Sequence, residues 1–398
     1  MTGHGVPAPA LEATTTATQR ILGDLVGFAS VSRTSNLELL GYVEALLDAH
    51  GIPHRRGLDP TGTRGNLVAR IGPAVPGGVV LTGHTDVVPV AGQPWTADPF
   101  LLRRDGDRLI GRGTTDMKGF LASVLAHVPS MAAAELERPV LLVLTYDEEI
   151  GTVGAPAAVE LLLATEPRPA AVLVGEPTGM VPVVAHKGVR SFTTVVEGRD
   201  GHSSQPQLAA NALAALVRIA TFIDDLAGRV ATGPQDPSFD PPHTTFNLAT
   251  LTAGQAINIV PRRAELTWEY RPVPADDDDA LATEVMRFAA EEVLPRLKAT
   301  TGEGTITTRA EAVARGLRPE EDGAAEALVR RLTGSTAPGG TVPYGTDGGH
   351  FQAAGLSTVV CGPGSIQQAH QPDEWIEISQ LAACDAMLVA LVAELTGP

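Results

Sequence analysis

The stretch LTGHTDVVPV, residues 81–90, joins an apolar segment to two polar side chains. The apolar letters GGVV before it and the proline within it indicate a buried strand that ends close to His84. Because side chains alternate along an extended chain, His84 and Asp86 lie on the same side of it. Two interpretations are open at this point: a surface turn with a hydrogen-bonded histidine, or half of a metal site.

Similar apolar runs alternate with helical patterns on both sides of this stretch. NLVARIG, RPVLLVLTYDEE and AAVLVGEPT are predicted strands, and DMKGFLASVLAHVPSMAA and APAAVELLLATE are predicted helices between them. Continuous apolar strands that alternate with helices are typical of a mainly parallel sheet with helices on both faces. The predicted fold class is therefore α/β.

The pattern changes near residue 188, where VRSFTTVVEG alternates polar and apolar residues as a half-exposed strand does. A helix, two alternating strands, a second helix and a last strand follow. The order β-α-β-β-α-β is that of the ferredoxin-like motif. We therefore predict a larger domain formed by residues 1–187 and 314–398, with a loose tail at 1–10, and an inserted α+β domain at 188–313.

The net charge limits the kinds of molecule that the protein is expected to bind. The 398-residue chain contains 46 acidic and 29 basic residues, for a net charge of −17. This excess of negative charge argues against binding to nucleic acid or to an anionic membrane.

Targeting signals are not evident in the sequence. The first twenty residues lack the basic and apolar regions of a secretory signal, and no run of about 18 apolar residues occurs. We therefore expect no transmembrane helix and a cytoplasmic protein. Cys361 and Cys384 are too few for a disulfide framework and are expected to be buried, reduced thiols.

Polar side chains recur just after the predicted strands of the larger domain. Ligands bind at the carboxyl ends of strands in open α/β sheets, so we expect these side chains to meet at one edge. Taken alone, a His-x-Asp or a Glu-Glu pair more often has an ordinary structural role, and the joint order of the motifs supports the functional interpretation. The residues are His84, Asp86, Asp116, Glu148, Glu149, Glu176 and His370.

This set of side chains suits a metal-dependent hydrolase. Histidine nitrogens and carboxylate oxygens without cysteine are typical ligands of Zn²⁺, Mn²⁺ or Co²⁺ in an open catalytic site. Two histidines and three carboxylates are enough for two ions if one carboxylate bridges them, and such ions polarise a carbonyl oxygen and activate water. A further carboxylate must act as general base, so Glu148 and Glu149 could supply a base and a ligand. Asp86 could orient His84 through its second ring nitrogen.

Taken together, the motifs GHTDVVP, GRGTTDMKG, YDEEIGT, GEPT, HKG, GHSSQP and AHQPDEW resemble the di-zinc aminoacylase and acetylornithine deacetylase superfamily. That superfamily also contains succinyl-diaminopimelate desuccinylases and carboxypeptidase G-type enzymes. The resemblance extends from about residue 15 to the C-terminus. It implies a zinc-peptidase-like catalytic domain with an inserted lid that usually also forms a dimer.

The resemblance also implies roles for individual residues. A cis peptide often follows the bridging aspartate, here Asp116–Met117, although such bonds are rare outside proline. The implied roles are a metal ligand at His84, a bridging ligand at Asp116, Glu149 and His370 at one metal, Glu176 at the other, and the general base at Glu148.

Residues of the inserted domain are implicated in substrate binding. By the resemblance, His202 reaches the active site of the partner subunit and stabilises the oxyanion of the scissile carbonyl; a helix N-cap loop is a compatible alternative. Asn258 and Arg271 match positions that contact the carboxylate side of the substrate, where the planar fork of arginine fits well. A surface strand residue is the alternative for Arg271.

The segment YGTDGGHF is expected to line the pocket through Gly345 and Thr346. His186 and His350 are polar residues near the site and receive no role.

The segments GPGSIQQAHQPDEWIE, GEPT and AHKG look most like the acetylornithine deacetylase branch of the superfamily. The expected activity is therefore hydrolysis of N2-acetyl-L-ornithine to L-ornithine and acetate by a homodimer with two Zn²⁺ ions, for which Co²⁺ or Mn²⁺ are substitutes. The GTDGG loop departs from that branch. Acetyl-citrulline, acetyl-diaminobutyrate and succinyl-diaminopimelate therefore stay open as substrates, as does a carboxypeptidase or dipeptidase activity. A metal-binding protein without catalysis is a third class, against which the intact Glu148 argues.

Overall fold

The computed structural model describes residues 16–276 and 279–397; the predicted tail at residues 1–10 lies outside them. The first part of the larger domain contains the helices α1 (Ala17–Gly27), α2 (Leu37–Ala49), α3 (Lys118–Ala133) and α4 (Ala155–Thr165). Its strands are β1 (His54–Leu58), β2 (Gly65–Ile71), β3 (Val79–His84), β4 (Arg103–Asp105), β5 (Arg108–Ile110), β6 (Val140–Thr145), β7 (Ala171–Val174) and β8 (Val183–His186).

The inserted domain, here called the lid, comes next in the chain. Its strands are β9 (Val189–Glu197), β10 (Thr245–Ala253), β11 (Arg263–Arg271) and β12 (Thr305–Ala314). Its helices are α5 (Ala212–Ala231), α6 (Ala280–Phe288) and α7 (Leu294–Lys298), the last two joined by the π-helical segment Ala289–Val293. The predicted boundaries of the lid, 188 and 313, are retained as a proposal.

The chain then returns to the larger domain. The helices of this last part are α8 (Ala324–Thr333), α9 (Gly348–Ala353) and α10 (Ile378–Leu395). Its strands are β13 (Gly340–Val342), β14 (Thr358–Val360) and β15 (Trp375–Glu377).

A mixed eight-stranded sheet forms the centre of the larger domain, in the order β1-β2-β6-β3-β7-β14-β8-β13. The four strands β6, β3, β7 and β14 are parallel, as are β8 and β13. The pairs β1-β2, β2-β6 and β14-β8 are antiparallel. The predicted parallel arrangement is therefore confirmed for the central strands, which carry the candidate site.

Both faces of this sheet are covered, as predicted. Along β3, Val79 and Leu81 pack into one apolar cluster that includes residues of α3 and α10. Val80 points the opposite way and packs into a second cluster that includes residues of α4 and α9. Because successive side chains of a strand point to opposite faces, a strand buried on both sides has the continuous apolar run seen in the sequence.

Gly83 allows β3 to approach the start of α3. A Cβ atom at this position would lie 2.7 Å from Cε of Met117 and 2.9 Å from Cδ2 of Leu121. The absence of a side chain therefore lets the strand end pack closely against the helix. This packing brings His84, the next residue, close to Asp116.

The lid has the predicted ferredoxin-like arrangement, an antiparallel sheet in the order β10-β11-β9-β12. Phe192 of β9 and Trp268 of β11 stack with ring centroids 4.6 Å apart and pack against the helices of the lid. The alternate residues of these strands face away from the helices. One face of the lid sheet is therefore open.

The helix α10 is long and apolar enough to cross a membrane by length and composition, with 18 residues and a mean hydropathy of 1.7. The sequence analysis expected no transmembrane helix, because it found no run of about 18 apolar residues. One face of α10 packs in the core against α3 and α8, so we interpret it as a core helix. Cys384 lies on this face and, like Cys361, is a free, buried thiol, as predicted.

Candidate active site

Three parallel strands position the first group of polar side chains. β3 lies between β6 and β7 and is parallel to both, so the residues that follow these strands meet at one edge of the sheet. His84 is the last residue of β3, Glu148 and Glu149 follow β6, and Glu176 follows β7. Residues far apart in the sequence therefore become neighbours.

His84 is buried, and one of its ring nitrogens lies near two carboxylates. Its Nε2 is 3.0 Å from Oδ1 of Asp116 and 3.6 Å from Oε1 of Glu176. Its Nδ1 is 2.9 Å from the backbone carbonyl oxygen of Asp86. Burial alone lowers the pKa of His84, but the carboxylates of Asp116, Glu176 and Asp86 raise it well above its usual value. In the neutral ring that a metal ion requires, Nδ1 donates to the carbonyl and Nε2 is left with the electron pair of a metal ligand.

The Asp116 carboxylate lies between two histidines. Its Oδ1 is near His84, and its Oδ2 is 3.3 Å from Nε2 of His370. The predicted cis peptide at Asp116–Met117 is present. Burial raises the pKa of Asp116, but hydrogen bonds with His370 and His84 hold it well below its usual value. Each oxygen faces a different histidine, as a bridging ligand requires.

Glu149 and His370 form a second pair beside Asp116. Nε2 of His370 is 2.9 Å from Oε2 of Glu149, while the buried Oε1 of Glu149 has no hydrogen-bond partner among the described residues. Hydrogen bonds to Asp116 and Glu149 raise the pKa of His370 to about 10. Burial and the charge of Asp116 raise the pKa of Glu149 to about 7. An unpartnered, buried carboxylate oxygen fits a position that faces a cation.

Two groups of side chains have ligand atoms within 4.8 Å of one another: His84, Asp116 and Glu149, and His84, Glu148 and Glu176. Burial and neighbouring carboxylates raise the pKa values of Glu148 and Glu176 well above the usual range. Buried like charges are costly unless a cation joins them. Imidazole and carboxylate ligands without thiolate suit Zn²⁺, Mn²⁺ or Co²⁺, so this donor set fits divalent metal.

Asp86 contacts the site differently from the expectation. The backbone oxygen of Asp86, rather than its carboxylate, accepts the hydrogen bond from His84 Nδ1; the carboxylate Oδ1 is 3.6 Å from that nitrogen. The carboxylate instead accepts hydrogen bonds from Ser32 Oγ (2.7 Å) and from the backbone N–H groups of Glu148 (3.0 Å) and Glu149 (3.4 Å). Asp86 therefore positions the turn that carries both glutamates.

Glu374 joins the loops that carry Asp116 and His370, and the sequence analysis did not single it out. The only signal for it was its place in AHQPDEW. The carboxylate is buried. It accepts hydrogen bonds from the backbone N–H groups of Gly113 (3.0 Å), Thr115 (2.9 Å) and Asp116 (3.1 Å) and from Nη1 of Arg112 (2.7 Å).

A cavity of about 380 Å³ adjoins the carboxylate cluster. Glu148, Glu149 and His370 form part of its wall, and the open face of the lid sheet forms another part. The cavity is therefore bounded on one side by candidate metal ligands and on another by polar side chains of the lid sheet. The other lining residues are Arg33, Ile150, Gly151, Thr152, Val189, Ser191, Glu269, Arg271, Glu311, Ala312, Ala314, Tyr344 and Gly345.

Two of the predicted substrate-binding residues, Arg271 and Gly345, line this cavity. Thr346 does not, because it is buried and its Oγ1 lies 2.9 Å from Nε2 of His186 and accepts a hydrogen bond from the Gly348 N–H. Tyr344, two residues earlier in the chain, lines the cavity where Thr346 was expected. Thr346 therefore supports the loop rather than facing the cavity.

His202 and Asn258 lie together on an exposed part of the lid and do not line the cavity. The Ser203 N–H donates to the backbone oxygen of Asn258 at 3.1 Å, and Nδ1 of His202 lies 2.8 Å from Oγ of Ser204. Within one chain, therefore, neither residue joins the metal-ligand cluster.

Sequence reasoning also missed Asp347 and the acidic residues of the lid wall. Asp347 is buried and accepts a hydrogen bond from Thr145 Oγ1 at 2.7 Å. Burial raises its pKa to about 6. The position of Asp347 in the GTDGG motif could have identified it from the sequence. Glu269 and Glu311 lie in no motif, and whether their side chains face the cavity depends on strand pairing.

Known proteins resemble this chain in sequence and in fold. The model of Peptidase family M20/M25/M40 matches residues 80–322 and 319–394. The acetylornithine deacetylase of Myxococcus xanthus is 34% identical over 394 residues, which cover 98% of this chain and 98% of that protein.

Two solved structures share the fold. The M20 metallo-carboxypeptidase Sso-CP2 from Sulfolobus solfataricus has a TM-score of 0.72 at 19% identity, over 96% of this chain and 99% of that one. The Bacillus subtilis YXEP protein, a dinuclear metal binding peptidase, has a TM-score of 0.61 at 16% identity, over 95% of this chain and 98% of that one.

Proposed function

The chain belongs to peptidase family M20/M25/M40, and on that premise we propose that it hydrolyses N2-acetyl-L-ornithine to L-ornithine and acetate. The observation that carries the proposal is the placement of the Asp116 carboxylate between His84 and His370, next to a cavity that also contains Arg271. The similarity to the Myxococcus xanthus enzyme over nearly the whole chain supports the choice of substrate.

We propose two divalent ions, Zn²⁺ with Co²⁺ or Mn²⁺ as substitutes. His84 and Glu176 would hold one, Glu149 and His370 the other, and Asp116 would bridge them. Ions in these positions supply Lewis-acid polarisation of the scissile carbonyl and acidification of water. The buried, unpartnered Oε1 of Glu149 and the opposed histidines of Asp116 support this assignment.

Glu148 is proposed as the general base. It removes a proton from water as the water oxygen adds to the acyl carbon, and it delivers that proton to the nitrogen as the C–N bond breaks. Acetate and the free amine are the products. Burial and the charge of Glu176 raise the pKa of Glu148, which makes its carboxylate a better proton acceptor. The hydrogen bond from its backbone N–H to Asp86 holds the residue in place.

Arg271 is proposed to bind the α-carboxylate of the substrate. It lines the cavity from the lid side, and its Nε and Nη2 atoms lie 3.3 Å from the two oxygens of Glu269. A guanidinium held by a neighbouring carboxylate keeps a fixed direction and still has donors for a second anion.

We propose a homodimer in which the lid of one subunit completes the active site of the other. The lid carries exposed apolar side chains at Leu248, Leu251 and Ile257, the last of them 101% exposed. The first two lie on β10, an edge strand of the lid sheet. An open strand edge with apolar side chains is a favourable surface for pairing with a second copy. His202 and Asn258 lie near this surface, from which we propose that they reach the partner's cavity.

The proposed reaction belongs to arginine biosynthesis, and we accordingly propose a cytoplasmic location. The test is kcat/KM of the Zn²⁺- or Co²⁺-loaded protein on N2-acetyl-ornithine, N-acetyl-methionine and N-succinyl-diaminopimelate, with a dipeptide as fourth substrate. A preference of about a hundredfold for acetyl-ornithine supports the proposal. A flat or reversed preference reassigns the substrate to another N-acyl amino acid, and dipeptide cleavage alone indicates a peptidase.

A further inference from the structure

The open face of the lid sheet brings charged side chains to the cavity in a defined register. Ser191 of β9 pairs with Glu269 of β11 on one side and with Ala312 of β12 on the other. Because β9 separates β11 from β12, their backbones are roughly 10 Å apart, two strand spacings. Glu269 therefore lies on one side of Ser191, and Ala312, the neighbour of Glu311 in the chain, lies on the other.

Glu311 lies at a β-bulge in β12, beside the cavity. The pairing of β12 with β9 shifts register between Ala310 and Ala312, so Glu311 is the extra residue. Such a bulge interrupts the alternation of a strand and redirects a side chain, and bulges are frequent beside active sites. Glu311 lines the same cavity as Glu148 and His370.

The Glu311 carboxylate is ionised and anchored. Nε and Nη2 of Arg309 both donate to its Oε1, at 3.0 and 2.7 Å. Hydrogen bonds from Thr193 and Arg309 lower the pKa of Glu311, and the charge of Arg33 lowers it further. A carboxylate has about four acceptor positions, so these contacts leave room for one more donor.

We propose that Glu311 selects substrates with a cationic side chain by accepting a hydrogen bond from the side-chain ammonium. This inference rests on the proposed function and adds the residue that recognises ornithine against neutral amino acids. With the α-carboxylate at Arg271 on β11, the ammonium lies toward β12, across Ser191. Glu311 is exposed in the single chain, so the expected discrimination is about tenfold and arises because a neutral substrate leaves the carboxylate without its partner.

The test compares Glu311→Gln with the parent on N2-acetyl-ornithine and on N2-acetyl-norleucine, which replaces the terminal amino group by a methyl group. Glutamine keeps the size of the side chain and removes its charge. We expect kcat/KM for acetyl-ornithine to fall about tenfold or more through a higher KM, with little change for acetyl-norleucine. Retained activity on acetyl-norleucine also shows that the variant is folded.

Glu265→Gln is the matched control. Glu265 lies on the same open face of β11, pairs with Arg263 and does not line this cavity. It should leave the ratio of the two kcat/KM values at the parent level.

Three outcomes overturn the inference in distinguishable ways. A parent preference for acetyl-ornithine that Glu311→Gln leaves unchanged rejects the role of Glu311 and keeps the proposed function. Equal loss on both substrates makes Glu311 a structural residue. A parent enzyme without preference for the cationic substrate rejects the inference and the choice of ornithine together.

Discussion

Glu374 accepts a hydrogen bond from the backbone N–H of Asp116 at 3.1 Å and so ties the loop of one metal-binding side chain to the loop of another. Glu374 and His370 belong to the same short segment, whereas Asp116 lies at the start of α3. This buried carboxylate therefore helps to fix the relative position of Asp116 and His370.

Replacing Glu374 by glutamine should weaken metal binding at the site formed by Asp116, Glu149 and His370. An amide oxygen accepts fewer and weaker hydrogen bonds than the carboxylate, and supporting residues of this kind change metal affinity by roughly 10- to 100-fold. Titration of the metal-free protein with Zn²⁺ or Co²⁺ measures the affinity of each site. Glu377→Gln, a nearby substitution outside this hydrogen-bond group, is the control. Unchanged affinities in Glu374→Gln would contradict the positioning role.

The role of His202 across the subunit interface predicts complementation between two inactive variants. His202→Ala lacks the proposed oxyanion donor, and Glu148→Gln lacks the proposed base. In a mixed dimer, one active site receives an intact Glu148 and an intact His202. Mixing and exchange of subunits should therefore restore about a quarter of the parent activity, since half of the dimers are mixed and each has one complete site.

Kinetic assays before and after subunit exchange measure this recovery. Light scattering of each variant confirms the dimer. Mixtures that stay inactive although the subunits exchange would place His202 in the chemistry of its own subunit. A His202→Ala variant that is active without mixing would place His202 outside the chemistry.

The buried His350 should make stability depend on pH. Burial lowers its pKa from 6.5 to about 4. Between these values the unfolded chain binds a proton that the folded chain does not, so stability falls as the pH decreases through this window and levels off below it. The free energy of unfolding of metal-loaded His350→Gln should therefore change less between pH 7 and 4.5 than that of the parent, by up to about 1.4 kcal/mol per pH unit.

Thr152→Val serves as the control for that experiment. Oγ1 of Thr152 lies 2.7 Å from Nε2 of His350, and the substitution removes this contact without removing a titrating group. Its stability should be lower than that of the parent, with a pH dependence close to the parent's, because His350 still titrates. Equal slopes for the parent and His350→Gln would rule out the histidine as the source.

The sequence predicted the fold and the grouping of the candidate metal ligands at one sheet edge, because both depend on local patterns. Apolar runs mark the central strands; His84 is the last residue of one of them, and Glu148 and Glu176 lie shortly after two others. The start of the lid was indicated at residue 188, where the predicted strands change from continuous apolar runs to an alternation of polar and apolar residues. These features need only the periodicity of strands and helices.

Other parts of the site depend on contacts that the sequence does not encode locally. The choice between the backbone and the carboxylate of Asp86 as the partner of His84 depends on how one turn packs on another. Thr346 was expected in the cavity, but its hydroxyl group is used by His186 and Gly348. Glu311 shares the open face with Arg309, but its place beside the cavity depends on how β12 pairs with β9.

The measurement that tests the central claim most directly is kcat for Glu148→Gln together with its metal content. Glu148 lies in a group of side chains that can hold metal, yet we assign it the role of base. We predict that kcat falls by roughly 10²- to 10⁴-fold while both metal ions stay bound, because a base is removed and no ligand is lost. Activity close to that of the parent, or loss of a metal ion with loss of activity, would contradict the assignment.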